Sequence, residues 1–215
     1  MPYLKKQIPQ PEPIDCRILS AALDLFVRDG YHSVSIHHIQ KKANVSIGSI
    51  YNHFGGKEGV ARALYVHILK EMEELVDDAV AAETSPVMQC KSIIRDLFRY
   101  TESHRNIIAF VFHAKHVEFL PDQPHACDSA PFIKMRGIVK NGVDCGELRK
   151  MDTWVAASAV FGGAIRMIQL RLENKLDQPL PIYFDQVAES AIAGVRADNT
   201  YHQRESSPLV EFAID

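Results

Sequence analysis

The sequence predicts an all-α protein of about nine helices. Apolar residues recur at helical spacing through most of the 215 residues, and no strand-like alternation is convincing. There is also no glycine-rich phosphate loop of the kind that follows a strand. The apolar content of 47% and the charged content of 24% are typical of a globular protein with its own core.

The first predicted helices form a compact front unit. Residues 1–13 contain four prolines and are expected to form a flexible, extended arm, and a first helix covers about 14–29. Short helices follow at about 36–42 and 47–53, each opened by Val-Ser-Ile, in which serine is a good N-cap. The next helix, about 57–82, is long enough to leave this unit, so it predicts a rigid connection to the remainder.

The later helices form a separate body. Three prolines mark residues 120–131 as a loop. The chain is therefore predicted to divide into a front domain of residues 14–56, with the start of the long helix, and a body of residues 57–199. Residues 200–215 are expected to be a frayed tail. The body helices are predicted at about 86–103, 105–117, 132–142, 152–174 and 183–197.

The front domain contains the most informative stretch, VSIHHIQKKANVSIGSIYNHFGGKE at residues 34–58. Two short helices joined by a tight turn form a helix-turn-helix, which lays its second helix in the DNA major groove. Asn44 stands where the turn needs a residue that tolerates positive φ. Ile50 and Phe54 lie one turn apart and are expected to face inward. The stretch therefore predicts a DNA-binding protein.

The outward side of the second helix carries side chains suited to duplex DNA. Asn52 can pair with adenine edges, and Tyr51 and His53 can donate to phosphates. Lys57 opens the following helix, where free N–H groups and a lysine make a phosphate site. The alternative is an ordinary solvated helix face with an exposed lysine. The outward set is Ile47, Gly48, Ser49, Tyr51, Asn52 and His53.

Charge and cysteine usage fit this interpretation. The formal net charge of −3 divides into +3 for residues 1–65 (8 Lys+Arg, 5 Asp+Glu) and −6 for the remainder (16 and 22). A basic front on an acidic body matches a nucleic-acid contact confined to the front. Four scattered cysteines suit reduced thiols in a cytoplasm. No apolar run approaches the roughly 18–20 residues of a membrane helix, and no signal peptide is evident, so no membrane partner is expected.

Residues 14–64 resemble the N-terminal domain of the TetR (tetracycline-repressor-like) family of transcriptional regulators. The resemblance rests on a first helix ending Leu25-Phe26…Gly30-Tyr31 and on the pattern Ser35…Ile39…Ala43-Asn44-Val45-Ser46…Gly48…Ile50-Tyr51…His53-Phe54…Lys57-Glu58. It implies that the face from Ile47 to Asn52 reads bases. It also implies phosphate contacts from Ser35, Ser46, Tyr51, His53 and Lys57.

Two positions depart from the family pattern. Asn44 replaces the usual turn glycine, which is a mild change. Gln40 stands where the family usually has a small alanine packed between the two helices. Its amide must reach solvent or a partner, and it can alter the angle of the recognition helix. The departure therefore bears on the operator sequence more than on the fold.

For the body, the resemblance implies an effector pocket and a dimer interface. Helices 152–174 and 183–197 would pair with those of a second copy, and a two-fold pair reads half-sites about 34–36 Å apart. A small effector would tilt helix 57–82 and release a palindromic operator, as in a ligand-responsive repressor. Helical spacing alone fits a packed core equally well. The pocket lining is predicted to be Phe98, Tyr100, Phe110, His113, Trp154, Phe161, Arg166 and Met167.

Alternatives of other classes remain open at this point. His113, His116, His125 and Cys127 could hold Zn²⁺ in a metal-responsive regulator, although their spacing is irregular. A helical protein-interaction module would show no affinity for DNA. No catalytic motif is present, so neither an enzyme nor a cofactor is expected. The arm, with Lys5 and Lys6, could lie along a DNA groove or be a functionless tail.

Overall fold

The structure, a computed structural model, describes residues 12–113, 119–123 and 126–197. The predicted tail, and all of the predicted arm except residues 12 and 13, lie outside the described residues. Two short 3-10 helices cover Ala126–Asp128 and Leu180–Tyr183. The α-helices of the described part are α1 (Ile14–Asp29), α2 (Ile36–Ala43), α3 (Ile47–Phe54), α4 (Lys57–Ala82), α5 (Pro86–Ser103), α6 (Arg105–His113), α7 (Ala130–Asp144), α8 (Thr153–Leu172) and α9 (Phe184–Ala193).

The all-α prediction is confirmed, and most helix ends fall close to their predicted positions. The predicted end of the sixth helix, at residue 117, lies outside the described residues. The last helix differs from the prediction, since it was predicted to reach residue 197 and ends at Ala193. The three residues from Val195 return to the segment after α7 instead: Arg149 N–H donates to Val195 O at 2.8 Å and Ala197 N–H to Glu147 O at 3.2 Å. An antiparallel bridge between Leu148 and Arg196 completes this pairing.

The front helices share their core with the body. Ile18 of α1, Ile39 of α2 and Ile50 of α3 are fully buried. The ring of Phe26 stacks on Phe110 of α6, with centroids 6.5 Å apart. Three short helices bury too little apolar surface to form an independent core, so α4 and α6 complete it. The front and the body are therefore packed together as well as joined by α4.

A polar network fixes the end of α8 to α5 and α6. Glu102 forms a two-bond pair with Arg171, at 2.9 and 3.0 Å, and this hydrogen-bonded pair lowers the pKa of the Glu102 carboxyl. Arg105 donates to Arg171 O at 3.2 Å and to Leu172 O at 2.6 Å, which satisfies carbonyls at a helix end. Since α6 also packs on α1, the network links α8 to the front domain through one helix.

Helix α8 is more apolar than the sequence-based expectation allowed. By length and composition alone it could cross a membrane, and about a third of its most apolar stretch is buried within the described protein. A single helix of this kind is weak evidence, because core helices pass the same test. The sequence-based expectation missed it because Arg166 and the small residues interrupt the run of apolar side chains, although the helix as a whole stays apolar in composition.

Candidate DNA-binding surface and effector pocket

Helix α3 presents the predicted face at the surface. Ile50 is fully buried and Phe54 is half-buried, so the two anchor the helix from behind. Tyr51 is 52% exposed, and Asn52 and His53 are exposed beside it. Of the remaining predicted positions, Gly48 and Ser46 are exposed, whereas Ser35, Ile47 and Ser49 are half-buried. The side chains expected to meet DNA are therefore held by a rigid helix and left uncovered.

The two serines predicted to contact phosphate are the N-caps of α2 and α3. Ser35 Oγ accepts the His38 N–H at 3.3 Å, and Ser46 Oγ accepts the Ser49 N–H at 3.0 Å. The Oγ atoms of Ser46 and Ser49 are also 2.8 Å apart. A hydroxyl that accepts a cap bond can still donate its proton. The capping role is thus compatible with phosphate contacts, which stay a prediction.

Lys57 lies differently from the prediction. Its ammonium donates to Tyr31 O at 3.0 Å and to Val34 O at 2.9 Å, and it sits 4.1 Å from the centre of the Tyr31 ring. Burial lowers the pKa of Lys57. The side chain faces the protein because the connection between α1 and α2 leaves these carbonyls without helical partners. In this structure Lys57 therefore ties this connection to the start of α4, and its contact with a phosphate stays a prediction.

Gly59 is a residue of the site that the sequence-based prediction missed. A Cβ on Gly59 would lie 1.6 Å from the carbonyl oxygen of Phe54, a distance that no side chain can tolerate. The absence of a side chain lets the last turn of α3 pack on the first turn of α4, which fixes the angle between them. The third glycine in Gly-Gly-Lys-Glu-Gly was the signal that could have identified it.

The body contains a small apolar cavity between α4, α5, α6, α7 and α8. Its free volume is about 20 Å³, room for little more than one water molecule. Three of its lining residues, Met72, Leu75 and Val76, belong to α4, the helix that continues into the front domain. The other lining residues are Ile93, Leu97, Val111, Phe112, Pro131, Phe132, Met135 and Ile165.

An open groove of about 190 Å³ lies next to this cavity. The two spaces share Phe132, Met135 and Ile165, so they are separated by these side chains. Arg136 lines the groove, with its guanidinium 3.9 Å from the centre of the Trp154 ring and its Nη1 donating to Cys127 O at 2.7 Å. The remaining lining residues are Cys127, Trp154, Ala157, Ser158, Phe161 and Gly162.

The predicted pocket lining agrees with these two spaces only in part. Trp154 and Phe161 line the groove. Arg166 does not, because it is exposed and pairs with Glu173 at 3.6 Å near the end of its own helix. Four other predicted residues line neither space, and their role stays a prediction: Phe98, Tyr100, Phe110 and Met167. The side chain of His113 lies outside what the structure describes.

The predicted metal ligands are mostly beyond the described residues, as His116, His125 and the side chain of His113 are not among them. Cys127 is exposed. Within residues 12–113, 119–123 and 126–197, no group of three or more His, Cys, Asp or Glu side chains is arranged to hold a metal ion.

Like α3, helix α8 has a face that the described part of the chain leaves uncovered. Its inner side is buried through Ala156, Val160 and Ala164, whereas Val155 is 56% exposed on the other side. A Cβ added to Gly162 or Gly163 would meet nothing within 4 Å. Glycine in a helix interior costs about 1 kcal/mol relative to alanine, and no contact within the described chain requires it here.

These features define a class of protein. A capped helix-turn-helix with an exposed second helix, joined by one long helix to a body with an apolar cavity, is the design of a DNA-binding transcriptional regulator.

Comparison with known proteins identifies the family. Residues 18–64 match the family model for bacterial regulatory proteins of the tetR family. The chain is 21% identical over 190 residues to the fatty acid metabolism regulator protein of Bacillus subtilis (strain 168), covering 86% of this chain and 97% of that protein. It is 38% identical over 64 residues to the HTH-type transcriptional regulator UidR of Escherichia coli (strain K12), covering 30% of this chain and 31% of that one.

The fold is also that of solved regulators. The crystal structure of the transcriptional regulator FadR from Bacillus subtilis in complex with stearoyl-CoA matches with a TM-score of 0.73 and 19% identity, over 84% of this chain and 99% of that chain. Residues 18–64 therefore form a DNA-binding domain of the TetR family, and the protein is a DNA-binding transcriptional regulator with the fold of TetR-type regulators.

Proposed function

We propose that the protein is a cytoplasmic, homodimeric repressor that releases a palindromic operator when an elongated, mainly apolar effector with an anionic end binds its body. The observation that carries the DNA-binding part is the exposure of Tyr51, Asn52 and His53 on a helix anchored by the buried Ile50. Side chains of this kind can combine phosphate contacts with direct readout of base edges.

The effector class follows from the cavity and the groove. The cavity is lined by aliphatic, aromatic, proline and methionine side chains, so an acyl chain or a similar apolar group could occupy it if these side chains moved apart to widen it. The adjoining groove holds the guanidinium of Arg136, which suits an anion. Rotation of Phe132, Met135 or Ile165 would join the two spaces. The bound stearoyl-CoA of the FadR structure, an acyl chain with an anionic carrier, supports the same class for this protein.

Helix α4 supplies a route from the cavity to DNA. An effector that fills the cavity presses on Met72, Leu75 and Val76, and the same helix begins at Lys57. Lys57 holds the connection between α1 and α2, and Tyr31 in that connection stacks on Phe119 of the body, with centroids 4.3 Å apart. A tilt of α4 therefore displaces the front domain. Differential affinity for the two states, typically about 1–3 kcal/mol, sets the size of the response.

In this proposal α8 and α9 form the dimer interface. The uncovered face of α8, with Val155, Gly162 and Gly163, allows a second helix to approach closely. Association across a two-fold axis would present two copies of α3 to successive major grooves, as a palindromic operator requires.

Selection of bound sequences from a random duplex library tests the DNA-binding proposal. We expect enrichment of a palindrome whose half-sites lie about one helical turn apart, with binding that weakens as salt is raised. Failure to enrich any sequence at low ionic strength would contradict it, and enrichment of a single asymmetric site would contradict the dimer.

Two thiols of the same chain allow a test of the effector site. Cys127 and Cys145 are both exposed, but only Cys127 lines the groove. A long-chain acyl-CoA should slow labelling of Cys127 and leave Cys145 unchanged, and it should release the selected operator. Coenzyme A without an acyl chain tests the groove alone, and a free fatty acid tests the cavity without the large anionic carrier.

The Arg136→Met variant should respond to acyl-CoA only at higher concentration, whereas Arg99→Met, a change at an exposed residue of α5, should respond like the wild type. If neither acyl-CoA nor fatty acid changes labelling or operator binding, the effector class is wrong while the DNA-binding proposal stands.

A further inference from the structure

The turn between α2 and α3 is held by side chains at three successive carbonyls. Ala43 O and Asn44 O accept hydrogen bonds from Arg17, and Val45 O accepts one from Gln40. Asn44 adopts the left-handed conformation predicted for it, with φ 52° and ψ 54°. Ala43 ends α2, and Asn44 and Val45 are the whole backbone path from it to the cap Ser46, so the orientation of these residues sets the direction of α3.

Gln40 forms hydrogen bonds with both the backbone N–H and the backbone carbonyl of Val45. The Val45 N–H donates to Gln40 O at 3.3 Å, and the Gln40 side-chain Nε2 donates to Val45 O at 2.9 Å. The amide that was expected to need solvent or a partner has therefore found one in the turn. Gln40 thus provides an acceptor for the peptide N–H before the Val45 Cα and a donor for the carbonyl after it. Both peptide groups that flank Val45 are therefore held in orientation by one residue.

Arg17 fixes the preceding part of the turn from α1. Its Nε and Nη2 donate to Ala43 O at 3.2 and 2.8 Å, and Nη2 also donates to Asn44 O. A planar guanidinium can satisfy two neighbouring acceptors at once, which a lysine ammonium cannot do with the same geometry. The cation also lies at the negative end of the α2 dipole. Arg17 thus connects the turn to the buried first helix.

We propose that Arg17 and Gln40 are positioning residues for base reading: they set the angle at which α3 enters the major groove, and so determine sequence specificity without contacting DNA. This inference rests on the proposed DNA-binding function. Base-edge hydrogen bonds require side chains to lie within a few tenths of an ångström of their place, whereas attraction to phosphates tolerates small rotations. A loosened turn should therefore reduce specific binding and leave non-specific binding in place.

Two variants weaken the side-chain hydrogen bonds to the turn while keeping the size of Gln40 or the charge of Arg17. Gln40→Met loses the amide donor, and Arg17→Lys keeps the positive charge but loses the planar fork. For each, binding is measured to the operator selected by the wild type and to a random duplex, over a range of salt. We expect the ratio of the two affinities to fall about tenfold or more, which corresponds to about 1.4 kcal/mol. Affinity for the random duplex and its salt slope should stay within twofold of the wild type.

The chain supplies a matched control for each change. Gln89 also donates its side-chain amide to a backbone carbonyl, Glu83 O at 2.7 Å, but far from DNA between α4 and α5, so Gln89→Met controls for the loss of such a bond. Arg28 is on the same helix as Arg17 and pairs with its neighbour Asp29, so Arg28→Lys controls for the arginine-to-lysine change. Neither control should change the affinity ratio.

Repeating the library selection with each variant gives a second readout. A loosened turn should enrich a degenerate or altered half-site. The inference is overturned if both variants enrich the wild-type sequence with an unchanged affinity ratio, or if specific and random binding fall by the same factor, which indicates only a loss of folded protein. If Arg17→Lys fails to fold, Gln40→Met decides alone, because it retains the backbone bond. A wild type that enriches nothing contradicts the proposed function itself, a different result from a selective wild type with equally selective variants.

Discussion

Helices α3 and α8 each present a face that the described part of the chain leaves uncovered, but the chemistry of the two faces is opposite. On α3 the face carries a phenol, an amide and an imidazole, at Tyr51, Asn52 and His53. On α8 it carries valine and two glycines with open space above them, at Val155, Gly162 and Gly163. Both helices are anchored by buried apolar residues on the opposite side. If both faces meet a partner, as we propose, the exposed groups distinguish a nucleic acid at α3 from a second helix at α8.

The largest expected effect comes from blocking the face of α8. In the double variant Gly162→Gln with Gly163→Gln, the new side chains have room in one chain but would hold a second helix away. We expect a monomer by sedimentation velocity and an operator affinity at least about 100-fold weaker, because two linked half-sites bind 10²–10⁴ times more tightly than one.

Gly137→Gln on α7 is the control for this double variant, since a Cβ there also meets nothing within 4 Å. A double variant that sedimented like the wild type would show that this face does not form the dimer interface.

A smaller effect is expected from the face of α3. Asn52→Ala removes a group able to pair with adenine, so it should change the preferred base at one position and cost about 1–3 kcal/mol on the original operator. Binding to random duplex should be nearly unchanged. The measurement is a comparison of the two selected sequences, and identical preferences would remove Asn52 from the base-reading set.

Lys57→Met decides between a structural lysine and a phosphate contact. Loss of the ammonium leaves Tyr31 O and Val34 O without this donor, so the free energy of unfolding should fall by about 1–3 kcal/mol. The salt slope of DNA binding should not change, whereas loss of a phosphate contact would lower it by about one.

Lys91→Met is the matched control for this change, because Lys91 pairs with Glu189 in the body and such partly exposed pairs contribute about 0–1 kcal/mol. A lower salt slope for Lys57→Met would restore the original prediction that this lysine binds phosphate.

The sequence predicted local features well because their causes are local. Ser35 and Ser46 mark the helix starts at which they are the N-caps, and the spacing of Ile50 and Phe54 predicts which side of α3 faces outward. The orientation of Lys57 could not be predicted, since it depends on two carbonyls that the fold brings to it.

The cavity was also beyond sequence reasoning. Helical spacing shows which side of a helix is apolar, but not whether that side meets another side chain or an empty space. Phe98 was predicted to line a pocket and is fully buried without lining the cavity or the groove, whereas Met135 was not predicted and lines both. The early end of α9 has a similar cause, because the pairing of Val195 with Arg149 joins distant parts of the chain.

The smallest expected effect is a difference between two glycine-to-alanine changes in how much each alters the free energy of unfolding. A glycine within a helix is destabilising by roughly 0.5–1 kcal/mol relative to alanine. Because a Cβ on the half-buried Gly137 of α7 would meet nothing within 4 Å, Gly137→Ala should raise the free energy of unfolding by about that amount. If the face of α8 met only water, Gly162→Ala would give the same gain. If a second helix approaches closely there, the added methyl group separates the two chains and offsets the gain. Denaturant unfolding at two protein concentrations distinguishes these cases, because the stability of a dimer depends on its concentration. We expect Gly162→Ala to be less stable than Gly137→Ala at a concentration at which the wild type is a dimer, with a difference that narrows as the protein is diluted and both variants become monomers.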